Sequence, residues 1–254
     1  MTDFMFPTEV IQLPSQGKFY PAEHPLRENG GKLNVKYMTA KEEDILTNTN
    51  LIQNGTVLDR LMDSLVIHEG VKFTDLTVGD TTAVLMASRI LAYGKDYPVE
   101  VLCTKCQTTS EHTIDLSELE YPEEVIDVDQ NGHHSFVTET GLNVTIQGLT
   151  RGEEMRLERS VKVVGNKLGT AAVNEVTSRL KAIIVSINDV TDKNQLSTMV
   201  ENLIIKDSKF IRDEFEKINP TVDMTTETTC DECGHVTKGG IPIGINFLWP
   251  DARL

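Results

Sequence analysis

Apolar and polar positions alternate in short stretches at both ends of this chain and recur at helical spacing in between. Residues 10–15, Val-Ile-Gln-Leu-Pro-Ser, read as a short strand stopped by Pro14. Residues 16–21 and the run Asn29-Gly30-Gly31 read as turns, and 32–37 alternates as a second strand. Thr39 followed three residues later by Glu42 predicts a capping box opening a helix, with Ile45 and Leu46 on its buried side and Asn54-Gly55 at its end. Leu58, Leu61, Met62 and Leu65 predict a second helix over 56–67. A third begins at Asp80, read as its cap, and ends at Gly94. Strand signals then follow at 99–102, 108–116, 124–129, 134–139 and 142–148, with turns at Asn131-Gly132 and Thr140-Gly141. Helices are predicted over 151–164, 170–187, 194–203 and 207–218, with a loop at 165–169. The β-branched run 183–187 leaves a strand open as the alternative there. Strands return at 225–229 and 235–249.

This pattern predicts an α+β protein in four parts. Residues 1–37 form an extended N-terminal arm with Phe4, Phe6, Phe19 and Tyr20 exposed as anchors for a neighbour, or else packed on its own domain. Residues 38–98 form a helical unit. Residues 99–117 with 224–250 form a split ribbon, and 118–223 are an inserted hairpin and helical region.

The cysteines define the ribbon. All four lie in two Cys-x-x-Cys pairs, Cys103-Thr-Lys-Cys106 and Cys230-Asp-Glu-Cys233, with 123 residues between them. Two such pairs make a four-thiolate tetrahedral site, the donor set of structural zinc. Gly234, directly after the second pair, permits the positive φ that such a turn needs, whereas Gln107 stands in that place after the first. The remaining readings are redox thiols, a fold that has lost its metal, or His112 or His235 replacing a thiolate.

Charge narrows the function. The 254 residues carry a formal net charge of −15, and residues 107–150 contain nine Asp and Glu but no Lys or Arg. A zinc ribbon alone suggests nucleic acid, but binding through phosphates needs clustered cations, so this balance favours a basic protein partner or a solvated acidic face. No apolar run reaches the length of a membrane span, and the N-terminus lacks the pattern of a signal peptide. No glycine-rich nucleotide fingerprint, P-loop or nucleophile elbow is present, so nothing marks an enzyme. His133-His134 reads as an exposed turn. Glu153-Glu154 reads as first-turn carboxylates favoured by the helix dipole.

Several segments together resemble the baseplate hub and hub-assembly proteins of T-even-type contractile-tailed bacteriophages. They are Ile11-Gln-Leu-Pro-Ser-Gln-Gly-Lys-Phe-Tyr-Pro21; Tyr37-Met-Thr-Ala-Lys-Glu-Glu-Asp-Ile-Leu-Thr-Asn48, the most specific; Gly55-Thr-Val-Leu-Asp-Arg-Leu61; Gly79-Asp80; Arg89-Ile-Leu-Ala-Tyr-Gly94; and, at the end, Cys230-Asp-Glu-Cys233-Gly234 and 241–250. The resemblance is weakest over 120–225. It implies a non-enzymatic subunit or assembly factor of the hub or wedge region. Such a protein contacts other baseplate and tail proteins, with room for a homo-oligomer, and resides in the virion or in the host cytoplasm during assembly. The rivals are a zinc-ribbon nucleic-acid-binding module of a transcription or translation machine and a metal-dependent hydrolase.

Overall fold

The computed structural model describes residues 7–122, 125–168 and 175–250; Phe4, Phe6, Glu123, Glu124 and the predicted helix start at 170–174 lie outside them. The elements in chain order are β1 (Thr8–Gln12), α1 (Pro25–Glu28), β2 (Lys32–Lys36), α2 (Ala40–Leu46), α3 (Thr49–Gln53), α4 (Val57–Leu65), α5 (Val78–Tyr93), β3 (Asp96–Leu102), β4 (Thr109–Asp115), β5 (His134–Val137), β6 (Asn143–Ile146), α6 (Arg151–Leu168), α7 (Glu175–Ile183), β7 (Ile184–Ile187), α8 (Lys193–Glu201), α9 (Ile205–Lys217), β8 (Thr225–Thr229), β9 (Val236–Gly240) and α10 (Ile245–Leu248). The sheets among them are small and antiparallel: the hairpins β1–β2, β3–β4 and β8–β9, and a three-stranded sheet in the order β5–β6–β7. The class is α+β.

Two apolar clusters carry the packing. The first gathers Leu13, Tyr20, Leu26 and Leu33 from the N-terminal segment, Leu61, Met62 and Leu65 of α4, Val84 of α5, and Phe247 and Leu248 of α10. The second gathers Phe19, Val144 and Ile146 of β6, Leu180 and Ile183 of α7, and Ile211 and Phe215 of α9. Phe19 and Tyr20 are adjacent in sequence yet fall in different clusters. They are not exposed anchors, being 6% and 3% exposed. The reason is a buried carboxylate. Asp80 accepts hydrogen bonds from the Ser15 N–H (2.9 Å), the Ser15 hydroxyl (2.7 Å) and the Tyr20 hydroxyl (2.7 Å), and so ties the turn-rich segment to α5. Burial raises the Asp80 pKa above its ordinary value, with those hydrogen bonds opposing the rise.

Several local expectations change for identifiable reasons. Asp80 does not cap α5: Thr77 does, its hydroxyl accepting from the Asp80 N–H, and Asp80 sits in the first turn. Asn48 starts a new cap, so the helix expected to run from Thr39 to Asn54 divides into α2 and α3. The capping pair itself is present, with the Glu42 carboxylate accepting from the Thr39 N–H and hydroxyl. α6 continues through Gly165 to Leu168, where a loop was expected. The run at 183–187 turns out as a strand from Ile184, because β6 offers it an unpaired edge. Residues 125–129 form no strand; Lys18 Nζ donates to the Val125 carbonyl at 2.7 Å and straps them to the N-terminal segment. Residues 245–248 are helical, not extended, and bury Phe247 and Leu248. His134 is not in an exposed turn: it opens β5 and its Nε2 lies 3.3 Å from Glu214.

The two clusters meet along a polar seam. Arg151, at the start of α6, makes a two-point contact with Asp59 of α4 at 2.7 and 3.1 Å and also reaches Glu154 and Glu158. At Gly79 the chain 219–220 approaches so closely that a Cβ would lie 2.1 Å from the Pro220 carbonyl oxygen.

Candidate metal centre

Each cysteine pair sits at the tip of a hairpin, and the two tips have the same backbone construction. In the first, the Cys103 N–H donates to the Thr108 carbonyl (2.9 Å) and the Gln107 N–H to the Cys103 carbonyl (3.0 Å). In the second, the Cys230 N–H donates to the His235 carbonyl (2.9 Å) and the Gly234 N–H to the Cys230 carbonyl (2.9 Å). The strand pairs that close them, Leu102 with Thr109 and Thr229 with Val236, also correspond. Both turns need a left-handed residue after the second cysteine. Gly234 supplies it at φ 65°, and Gln107 adopts it at φ 61° despite its side chain, whose amide donates to the Thr104 carbonyl at 3.2 Å. Gln107 therefore performs the role expected of a glycine.

The hairpins bring the four sulfurs together. All four lie within 4.8 Å of one another, with Cys103 Sγ 3.7 Å from Cys233 Sγ and Cys106 Sγ 3.6 Å from Cys230 Sγ. Every cysteine is a free thiol. A tetrahedron with Zn–S bonds of about 2.3 Å has edges of about 3.8 Å, so the cluster has the size such a site needs. Cys103 and Cys230 are buried, while Cys106 is exposed and Cys233 partly so, which puts the cluster at the outer end of the ribbon.

Hydrogen bonds prepare two of the sulfurs, those of Cys103 and Cys106, for negative charge. The hydroxyl and N–H of Thr108 hold the Cys106 thiol down to about 6. The N–H groups of Cys106 and Lys105 lower Cys103 against the cost of burial. The His235 N–H acts likewise on Cys233, but burial and the three neighbouring thiols push that group up to about 12. Four thiols so close cannot all ionise without a cation among them. Neither histidine joins the cluster. His235 Nε2 lies 3.2 Å from Thr104 Oγ1 and bridges the two tips, and His112 sits midway along β4 opposite Val99. Sequence reading missed Thr104 and Thr108, and took Gln107 as a poorer substitute for glycine. The signal for them was the parallel spacing of the two knuckles, whose equivalent residues are all 127 positions apart.

A family model described as T4 bacteriophage base plate protein matches residues 5–241. The chain belongs to this family. No curated protein and no solved structure matches it. The family match takes in both knuckles and nearly the whole chain, which agrees with the resemblance seen in 11–21 and 37–48. A T4-type baseplate protein has a structural role at the end of the viral tail, among other baseplate proteins. No described helix is long and apolar enough to cross a membrane.

Proposed function

We propose that this baseplate protein is a subunit or assembly factor of the hub or wedge region of a contractile tail, acting by protein–protein contacts and not by catalysis. In this reading Cys103, Cys106, Cys230 and Cys233 hold one structural zinc ion. The observation that carries the metal reading is the convergence of the four sulfurs within 4.8 Å from two like-built tips. Four thiolates fill a tetrahedral zinc site and leave no position for water or substrate, so the ion's chemistry is that of a cross-link. It clasps 99–117 to 224–250 and closes the intervening region into a single loop. The net charge of −15 supports protein partners over nucleic acid.

Elemental analysis of purified protein should give about one zinc per chain, falling sharply in Cys230→Ser; zinc near zero, or unchanged in that variant, refutes the metal. Mass spectrometry of mature particles separates the two roles. A fixed copy number per particle marks a virion subunit, and absence from particles together with a baseplate defect on deletion marks an assembly factor. Normal particle assembly without the chain would overturn both.

A further inference from the structure

The two hairpins of the ribbon leave a cleft along each side, and the metal site at the tips uses neither. The shared spacing of the knuckles makes β8 the counterpart of β3 and β9 the counterpart of β4, so the clefts are counterparts too. One, of about 250 Å³, lies between β3 and β9 and is lined by Pro98, Val99, Ile241 and Pro242. The other, of about 530 Å³, lies between β4 and β8. They differ in backbone and in charge. Each hairpin is a two-stranded sheet, so every strand of the ribbon has one edge without a partner strand. In an antiparallel pair, opposite residues alternate between exchanging hydrogen bonds and exchanging none, and the second kind turn their N–H and C=O to the outer edge. Counted from the bond between the Cys103 N–H and Thr108, these are Glu111 and Thr113 on β4 and Glu100 and Pro98 on β3. Counted from the bond between the Cys230 N–H and His235, they are Glu227 and Thr229 on β8. Pro98 has no N–H, so the β3 edge lacks a donor there. β4 and β8 contain no proline. Among the described residues no bridge joins β4 to β8, and the Asp223 N–H bond to the Glu120 carbonyl (3.0 Å) lies past the strand ends. Both edges are open along the larger cleft.

Charge selects what those edges take. The β4–β8 cleft is lined by Asp115, Glu118, Glu120, Asp223, Glu227 and Asp231, and by no Lys or Arg. Two cations reach these groups from outside the lining: Lys95 pairs with Asp115, and Lys238 lies 4.0 Å from Glu227. Asp223 accepts from the N–H and hydroxyl of Thr225. Glu118, Glu120 and Asp231 are exposed and have no ion pair among the described residues. The walls therefore keep a clear excess of negative charge after their own pairs are counted. The counterpart cleft between β3 and β9 has one carboxylate in its lining, Glu100.

We propose that the β4–β8 cleft takes an extended Lys- or Arg-rich segment of a partner protein, which adds to the open strand edges through its backbone and sets its cations against the carboxylates. In this mode main-chain hydrogen bonds give affinity, and the side chains give specificity. The opposite charges also speed encounter and fix register. β4 has seven residues, so a segment of about seven residues, about 24 Å when extended, spans its edge. The proposal rests on the reading that the chain works through protein contacts, but its test needs no virus. A fluorescein-labelled decapeptide alternating Lys with Thr is titrated with full-length protein and followed by anisotropy. The salt is held at about 0.15 M, where exposed charges are screened beyond about 8 Å.

Saturable binding is expected. Two further versions of the peptide, N-methylated at alternate backbone amides in the two possible registers, keep the charge and remove the donors from one edge. At least one of them should bind about tenfold more weakly. Glu120→Gln/Glu227→Gln, one exposed residue from each wall, should lose about fivefold. Glu43→Gln/Asp44→Asn on the exposed side of α2 removes the same charge elsewhere and should leave affinity within about twofold. An unchanged circular dichroism spectrum and melting curve verify the fold of both variants. No saturable binding, full affinity for both methylated peptides, or equal losses in the two double variants would each overturn the proposal. So would displacement of the peptide by magnesium at constant ionic strength, which would make the cleft a cation site. The baseplate reading fails separately, by normal particle assembly without the chain.

Discussion

At the seam, the neighbours Phe19 and Tyr20 enter separate apolar clusters and are almost wholly buried. Along the ribbon, the facing surfaces of its two hairpins grow more polar toward the knuckles. Tyr97 and Ile114 are buried at the base and join the first cluster. Farther out, Val99, Val101 and His112 are half-buried, lining clefts with Thr226 and Thr228 of the other hairpin. A two-stranded hairpin is marginal on its own. Where the apolar core runs out, the chain places its four thiols. The seam is thus closed by side-chain burial from a segment near the start of the chain, and the ribbon, on the zinc reading proposed above, by a cross-link between its distant halves. The difference teaches that the local supply of apolar surface decides which device is used.

If the proposed zinc is bound, the largest effect should come from removing it. Structural zinc sites contribute about 10–16 kcal/mol of apparent binding energy. Chelation should speed amide exchange across β3, β4, β8 and β9 while α4 and α5 stay protected. Equal deprotection of the helices would show that ribbon and core unfold as one unit, and the contrast would collapse. Next, Phe19→Ala empties a buried position in the second cluster and should cost about 3–5 kcal/mol in denaturant unfolding. A loss below about 1 kcal/mol would mean that the seam is held by its polar contacts instead.

The core lobe also carries a polar lock that a pH titration can isolate. Burial acts to raise the Glu42 pKa, but hydrogen bonds from Lys36 and from the hydroxyl and N–H of Thr39 prevail and hold it at about 2. A carboxyl depressed in the folded state stabilises above its unfolded value near 4.5, and the benefit disappears as pH falls from there toward about 2. Glu42→Gln should therefore be less stable at neutral pH, by about 1–3 kcal/mol, and the gap to wild type should narrow with acidification. A gap constant with pH would remove the charge from the explanation. The smallest effects compare the two knuckles directly. Gln107→Gly should stabilise the metal-loaded protein, and Gly234→Ala should destabilise it, each by about 1 kcal/mol, because both positions hold left-handed backbone. No atom lies within 4 Å of a Cβ added at Gly234, so backbone strain is the whole effect. Destabilisation by Gln107→Gly, or no loss in Gly234→Ala, would show that the two turns are not equivalent.

Much of the site was legible because cysteine pairing is short-range. A Cys-x-x-Cys spacing between strand-forming stretches announces a knuckle wherever it occurs, and Cys103, Cys106, Cys230 and Cys233 were all visible in this way. Gln107 was misjudged because its left-handed conformation follows from the turn's hydrogen bonds and not from its own preference. Asp80 was misread for a related reason. An acidic residue near a helix start has the same appearance whether it caps the helix or is drawn inward by partners 60 and 65 residues away.

By itself the sequence determined the Thr39–Glu42 capping box and the Gly94 stop of the helical unit, the strand–knuckle–strand segments, the four thiols and the excess of negative charge. These rest on interactions spanning three to six residues. Only the tertiary structure decided that residues 8–37 fold back on their own chain, that Phe19 and Tyr20 divide between two cores, and that both knuckles meet. Those outcomes depend on which distant surfaces can bury one another, and hydrophobic burial has no direction along the chain.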